Sequence, residues 1–215
     1  AYHDIKLPHK FKIAVGGCPN NCVKPNLNDV GIIGQRIPIV DTEKCKGCKK
    51  CAIEDACPNK VAKVVDGKIR IATETCRHCG RCIGKCPFHT IEEGSYGYKI
   101  YIGGRWGKNV SRGRALGRIF TSEEEALNVI EKAIIFFREN GKKGERFAET
   151  IERIGFESVD NKLGTPEYID HAQAIMKRLE KLGVKFPVTL NPKNEKEEEA
   201  DSPISQGKTD ENKKE

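Results

Sequence analysis

No stretch of this sequence holds the roughly 18 consecutive apolar residues that a membrane-spanning helix needs, so no membrane span is expected. No basic segment, apolar run and small-residue cleavage site open it, so no secretory leader is expected and a cytoplasmic setting is. Aromatic residues are scarce at 7%, with a single Trp, which argues against a nucleic-acid surface built on base stacking. A glycine-rich phosphate loop is absent, and so is a serine nucleophile motif. Cysteine is missing before Cys18 and after Cys86.

What is present is cysteine in quantity: ten in 215 residues. In a chain without an export signal, so many thiols point to metal or iron–sulfur ligation rather than disulfides. An anaerobic setting goes with that chemistry. The length allows one modest core or two small ones. The net charge is +7, yet the stretch from Asn191 to Glu215 carries five Lys against eight Asp and Glu. The body of the chain is therefore basic and suits an anionic cofactor or substrate.

Composition shifts divide the chain into 1–40, a cysteine-dense insert at 41–92, a segment at 93–190 and a charged tail at 191–215. Alternation from Phe11 to Val15 predicts a strand running into the loop Gly16-Gly17-Cys18-Pro19-Asn20-Asn21-Cys22. Val30 to Ile33 predicts a second short strand, and Tyr96 to Ile102 a third. Asp66-Gly67 marks a tight hairpin turn between Val64 and Ile69. Thr121-Ser122-Glu123-Glu124-Glu125 is a helix start; Ala126, Leu127, Ile130, Ala133, Ile134 and Phe137 recur at helical spacing until Asn140-Gly141, with Leu127, Ile130, Ile134 and Phe137 as the expected core stripe. Shorter helices are expected over Glu145 to Ile154 and from Thr165 to about Gly183. The tail lacks apolar residues to offset its ordering entropy and is expected to be disordered.

Within the insert, Cys76-x2-Cys79-x2-Cys82-x3-Cys86-Pro87 has the spacing of bacterial ferredoxins, in which the fourth thiolate reaches a neighbouring cluster. Cys45-x2-Cys48-x2-Cys51-x5-Cys57-Pro58 repeats it with a last gap two residues longer. Two 4Fe–4S clusters are expected, one on Cys45, Cys48, Cys51 and Cys86, the other on Cys76, Cys79, Cys82 and Cys57. Structural zinc also uses Cys-x2-Cys pairs, but it takes two pairs a longer loop apart rather than three thiols in a row before a Cys-Pro.

Cys18 and Cys22 stand outside those runs. By themselves they read as free thiols or half of an unrelated metal site. Their context, Leu7-Pro8-His9-Lys10-Phe11-Lys12-Ile13-Ala14-Val15-Gly16-Gly17-Cys18-Pro19-Asn20-Asn21-Cys22, resembles the sirohaem-linked motif of the sulfite and nitrite reductase family. Tyr101 to Gly107, Gly113 to Gly117 and Phe136 to Phe147 look like later parts of the same family, so the resemblance spans about Leu7 to Phe156. A ferredoxin domain inserted between them is similar to the anaerobic and dissimilatory sulfite reductases. The resemblance implies that Cys18 and Cys22 hold a 4Fe–4S cluster coupled to sirohaem, with Cys22 as the bridging thiolate and Asn20 and Asn21 in the loop facing the macrocycle. The family pattern also has an earlier Cys-x5-Cys that completes this cluster, and this sequence has no such pair. The chain is thus expected to be the C-terminal portion of a longer reductase. A chain that has lost the coupled site, or one completed by another subunit, is the alternative.

Among the other residues, His78 and His89 read as loop histidines in preference to proton carriers. Arg105, Lys108, Arg112, Arg114 and Arg118 form either a solvated face or a surface for sirohaem carboxylates or a partner. The expected fold is α+β: half of a nitrite/sulfite reductase core interrupted by a bacterial-type ferredoxin domain. The expected function is sirohaem- and 4Fe–4S-dependent reduction of sulfite or nitrite, with electrons arriving through the insert; no catalytic residue is assigned. The alternative is a ferredoxin-type electron-transfer module with no catalytic site of its own. Expected partners are the oxyanion and an electron-donor protein or subunit, in a homo- or hetero-oligomer, without nucleic acid.

Overall fold

The computed structural model describes residues 5–164. The helix expected from Thr165 and the charged tail lie outside them. Among the described residues, strands β1 (Ile13–Gly16), β2 (Val30–Pro38), β5 (Gly94–Ile102) and β6 (Arg114–Phe120) form one sheet in the order β1-β2-β5-β6. β1 runs parallel to β2, whereas β2–β5 and β5–β6 are antiparallel. Helices α2 (Glu123–Asn140), α3 (Phe147–Ile154) and α4 (Phe156–Gly164) follow β6. The architecture is α+β, as the sequence implies.

Period-two alternation gives the sheet two different faces. Val30, Ile32, Ile100 and Ile102 point into a core shared with Val129, Phe136, Phe147 and Leu163. Ile33, Gln35, Lys99 and Tyr101 point the other way, into an open cleft. Phe11 stacks on Phe137 at 5.7 Å and lies 5.2 Å from Phe147, which fastens the segment before β1 to α2 and α3. Truncating one of its fully buried partners, Phe137 or Phe147, costs about 3–5 kcal/mol.

α2 starts where its sequence directs. Ser122 Oγ accepts from Glu125 N at 3.1 Å, and three acids occupy the positive end of the helix. The expected stripe is corrected at one position: Leu127 is 52% exposed, and Ala126, Val129 and Ala133 take the inward face. A step of one residue turns a helix by about 100°, so Leu127 beside the buried Ala126 faces solvent. The buried Lys132 reaches across to Leu163 O at 3.1 Å, satisfying a carbonyl at the end of α4. Burial and the charge of Arg118 hold its amine below the usual lysine range.

The strand β6 was not expected. Its arginines and Gly117 hide the alternation, and the register with β5 shifts between Lys99 and Tyr101. Arg114 and Arg118 lie on the helix side of this edge strand, with Leu116 and Phe120, and their exposed guanidinium groups sit over the rings of Phe156 and Phe120 respectively.

The residues between β2 and β5 form a second unit. Helix α1 (Ala52–Ala56) and the hairpin β3 (Ala62–Val65) and β4 (Lys68–Ile71) enclose a small core of Cys45, Cys51, Ile53, Ala62, Ile69 and Ile91. Asp66 and Gly67 adopt positive φ (52° and 70°), as a tight two-residue turn demands. The chain leaves and re-enters the large sheet side by side, since Pro38 pairs with Gly94 and Ile39 N donates to Glu93 O at 3.0 Å.

Candidate functional site

Cys57, at the end of α1, and Cys76, Cys79 and Cys82, from one loop, line a single cavity walled by Pro38, Ala62 and Ile71. Burial pushes the Cys82 thiol up to about 11, with Cys76, Cys79 and Cys57 adding like-charge repulsion. Cys76 is raised by burial and by Cys79 and Cys57. The charges of Cys79 and Cys57 bear on both Cys76 and Cys82, so the four thiols converge on one place, where a multiply charged metal group would reverse the penalty. Burial also pushes Cys57 upward, but amides of Ala62, Val61, Asn59 and Lys60 outweigh it and leave the thiol below its usual value. Among the described residues, no three His, Cys, Asp or Glu side chains converge closely enough to hold a lone metal ion.

The backbone explains how a single loop supplies three thiols. His78 and Gly80 take positive φ (51° and 70°), and His78 N donates to Cys76 Sγ at 3.4 Å. β2 holds the loop in place, because Arg36 N donates to His78 O at 2.8 Å. A Cβ on Gly80 would stand 3.0 Å from the Arg36 side chain, so the loop needs glycine for closeness as well as for φ.

The remaining insert thiols are arranged less uniformly. Cys45 and Cys51 are buried, and Cys86, like Cys57 and Cys82, packs against the same small core. Cys45 Sγ accepts from Ile69 N at 3.2 Å, and the Cys86 thiol donates to Thr90 Oγ1 at 3.3 Å. Cys48 is half-buried and outside that core. Thiols from both cysteine runs therefore border one small core.

Cys18 and Cys22 are both exposed in the loop after β1. That loop lies against β2: a Cβ on Gly34 would stand 2.5 Å from Gly17 O. Asn21 takes φ 60°, and its amide nitrogen donates to Asn26 Oδ1 at 3.2 Å. Its own Oδ1 is buried without a hydrogen-bond partner among the described residues. A buried acceptor left bare is costly, and Asn21 is also one of the residues that line the adjoining cleft.

The cleft has a volume of about 670 Å³. Asn20 and Asn21 form one wall, Cys76 and Arg77 another, and Ile33, Gln35, Lys99 and Tyr101 the floor. Lys24, Arg77, Lys99 and Arg112 face it against the single carboxylate of Glu74, which makes it a place for an anion. Burial pushes the Tyr101 phenol up, and the charge of Arg77 partly opposes that.

Of the basic run from Arg105 to Arg118, Arg112 alone lines this cleft. Arg105 pairs with Glu149 and Arg114 with Glu157, each at 2.9 Å. Lys24, Arg77, Lys99 and Tyr101 escaped the sequence reading. For Lys99 and Tyr101 a signal existed, since they alternate with the core residues Ile100 and Ile102. His89 contacts Glu92 at 2.5 Å on the surface, while burial and Lys99 keep His78 below the usual histidine value.

Thiols gathered in this way place the molecule among the iron–sulfur redox proteins. Within that class the chain belongs to the nitrite and sulfite reductase family: the nitrite and sulphite reductase 4Fe–4S domain matches residues 1–170. It is 38% identical over 164 residues to a coenzyme F420-dependent sulfite reductase of Methanocaldococcus jannaschii, covering 72% of this chain and 25% of that protein. It is 26% identical to the dissimilatory-type sulfite reductase beta subunit of Nitratidesulfovibrio vulgaris, covering 73% of this chain and 46% of that subunit. A crystal structure of dissimilatory sulfite reductase I matches with a TM-score of 0.53 at 26% identity, covering 74% of this chain and 43% of the other. The chain thus spans a quarter to about half the length of these relatives. No helix among the described residues is long and apolar enough to cross a membrane.

Proposed function

We propose that this chain is the electron-delivering and sirohaem-facing portion of a sulfite or nitrite reductase, with a two-cluster ferredoxin domain at 41–92 set between parts of the reductase domain at 1–40 and 93–190. The observation that carries the reading is the shared cleft: the Cys18–Cys22 loop and Cys76 open onto the same cationic space. Cys76, Cys79, Cys82 and Cys57 would hold one 4Fe–4S cluster, and Cys45, Cys48, Cys51 and Cys86 the other. Cys18 and Cys22 would supply half the ligands of a third, with Cys22 bridging to sirohaem and two further thiolates coming from outside these residues. When bound, these groups carry single electrons to an iron centre at which sulfite or nitrite takes up six.

The chain's own residues have definable tasks. Lys24, Arg77, Lys99 and Arg112 attract the macrocycle's carboxylates and the oxyanion. Asn20 and Asn21 form the wall that whatever fills the cleft would meet. Sheet and loops fix the spacing between the insert and the cleft through Arg36 and His78. The assembly would work in the cytoplasm with an electron-donor protein or subunit, in a homo- or hetero-oligomer; two relatives named above are a whole reductase and a reductase subunit.

A second reading, an electron-transfer module without a catalytic site, is favoured by the exposure of both Cys18 and Cys22. The visible spectrum and iron content of anaerobically purified native protein separate the two. Sharp tetrapyrrole bands with iron above about eight per chain support the reductase. Broad iron–sulfur absorption with about eight irons supports the module and sinks the reductase reading for this chain.

A further inference from the structure

We propose that the outer face of the insert, formed by residues 44–51 and the solvent side of the β3–β4 hairpin, is a docking surface for an acidic one-electron carrier protein. This rests on the conduit reading above and adds the point of electron entry and the charge of the donor. Lys44, Lys46, Lys49 and Lys50 are all exposed and interleave with Cys45, Cys48 and Cys51. Lys44 is partly neutralised by Asp41 at 3.4 Å, while Lys46, Lys49 and Lys50 form no ion pair among the described residues.

The hairpin extends the same charge. Lys63 lies directly opposite Arg70 across the two strands, and both are exposed, with Ala62 and Ile69 buried on the reverse face. Like charges placed opposite one another destabilise a hairpin, a cost that an anionic partner would relieve. Hairpin and loop form one continuous surface: a Cβ on Gly47 would stand 2.5 Å from Gly67 O, and Lys68 Nζ donates to Cys45 O at 3.0 Å. The half-buried Glu54 accepts from Val64 N at 2.6 Å, and the exposed Asp66 stands in the hairpin turn, so the lysines, Lys63 and Arg70 outnumber the carboxylates on this surface.

Position gives this charge a redox meaning. The surface surrounds Cys48, a half-buried thiol of the first set, whereas the second set opens through Cys76 onto the cleft. Electrons entering at the lysines would cross from the first set to the second and leave toward the cleft. Each encounter moves one electron. The donor's centre is oxidised by one, the centre held by the first set is reduced by one, and no bond or proton changes hands. Electrostatic steering of this kind speeds association and fades as salt screens it.

The test is rapid mixing of the anaerobic, cluster-loaded full chain with a reduced, acidic plant-type 2Fe–2S ferredoxin at increasing ionic strength. Reduced methyl viologen serves as a donor that needs no docking. The triple variant Lys46→Glu/Lys49→Glu/Lys50→Glu should be reduced by the ferredoxin about 10- to 100-fold more slowly at low salt, and the gap should close as salt rises. A control with the same charge change elsewhere, Lys10→Glu/Lys142→Glu/Lys143→Glu, should stay near the wild-type rate. Methyl viologen should reduce all three alike. Equal ferredoxin rates for wild type and triple variant overturn the docking surface alone, because viologen reduction still attests the clusters. A chain that viologen cannot reduce overturns the conduit reading and the docking surface with it. If the three lysines govern retention of an RNA oligonucleotide but leave the ferredoxin rate unchanged, the patch belongs to nucleic acid and the proposal fails.

Discussion

Arg146 grips Asp29 with one nitrogen on both carboxylate oxygens, at 3.0 and 2.8 Å, across 117 residues of chain. Asp29 is fully buried just before β2, and Arg146 stands at the start of α3. Burial pushes the Asp29 carboxyl above its usual value, while Arg146 and the Lys12 amide, 2.9 Å away, pull against it. The pair ties together the segments on either side of the insert. Replacing Arg146 by Ala leaves a buried carboxylate uncompensated and should destabilise the protein by about 3–5 kcal/mol. Asp29→Asn in the same denaturation series should cost less, since its amide oxygen can still accept from Arg146 and the charge left alone is on the more exposed partner, 14% against 0%. Equal losses would contradict this account.

The thiol sets predict a graded loss of iron. Cys82→Ala should remove about four irons and one of two cluster signals in electron paramagnetic resonance of the reduced chain. Cys18→Ala should leave both signals in place, because its loop is separate from the insert. Loss of both signals in Cys18→Ala would break the proposed division of ligands.

A pH dependence follows from Glu145. Its carboxylate accepts from Arg153 through two bonds of 2.9 Å, from Lys142 N at 2.7 Å and from Thr150 Oγ1 at 3.1 Å. Arg153 above all, working against burial and with help from Lys142 and Thr150, lowers its pKa from the ordinary 4.5 to about 2. A depressed carboxylate stabilises the fold fully above its unfolded value and loses that contribution as pH falls toward the folded one. The urea midpoint of Glu145→Gln should therefore lie below wild type by a constant margin above about pH 4.5, and the margin should shrink toward about pH 2. A margin that widens on acidification would refute the assignment.

Gly34→Ala addresses the Cys18 loop. The added methyl would crowd Gly17 O, and relieving such overpacking typically costs about 1–3 kcal/mol. Alkylation rates of Cys18 and Cys22 should change along with stability. Gly117→Ala is the control: the nearest atom to its new methyl is the Asp160 carboxylate at 3.5 Å, an ordinary contact, so both readouts should hold.

The parts of this molecule that a reader of the sequence can see are those set by near neighbours along the chain. Cysteine spacing, the Asp66-Gly67 turn and the Ser122 cap each depend on a few adjacent residues. β5 shows through its alternation, and α2 through its period. β6 does not, because Arg114, Gly117 and Arg118 obscure the pattern. Leu127 misled because a hydrophobic residue at one edge of a helical stripe is placed by tertiary packing. The cleft was hidden for another reason: Lys24, Arg77, Lys99 and Arg112 come from four separate segments, and only folding makes them neighbours. The same holds for Cys57 beside Cys76, although there the ferredoxin-like spacing carried long-range information in local form.

β2 touches every functional part in turn. Ile32 faces the core, Ile33 and Gln35 the cleft, Gly34 the Cys18 loop, and Arg36 the loop of Cys76 to Cys82. Sliding this strand by one residue would reverse its faces at once, putting Gln35 into oil and pulling Arg36 away from His78. The gap between the Cys18 loop and the Cys76–Cys82 loop is therefore a ruler marked in peptide units, and the hydrogen-bond ladder with β5 keeps it from drifting. Mutations that merely loosen the sheet should shift these two loops against each other before they unfold it.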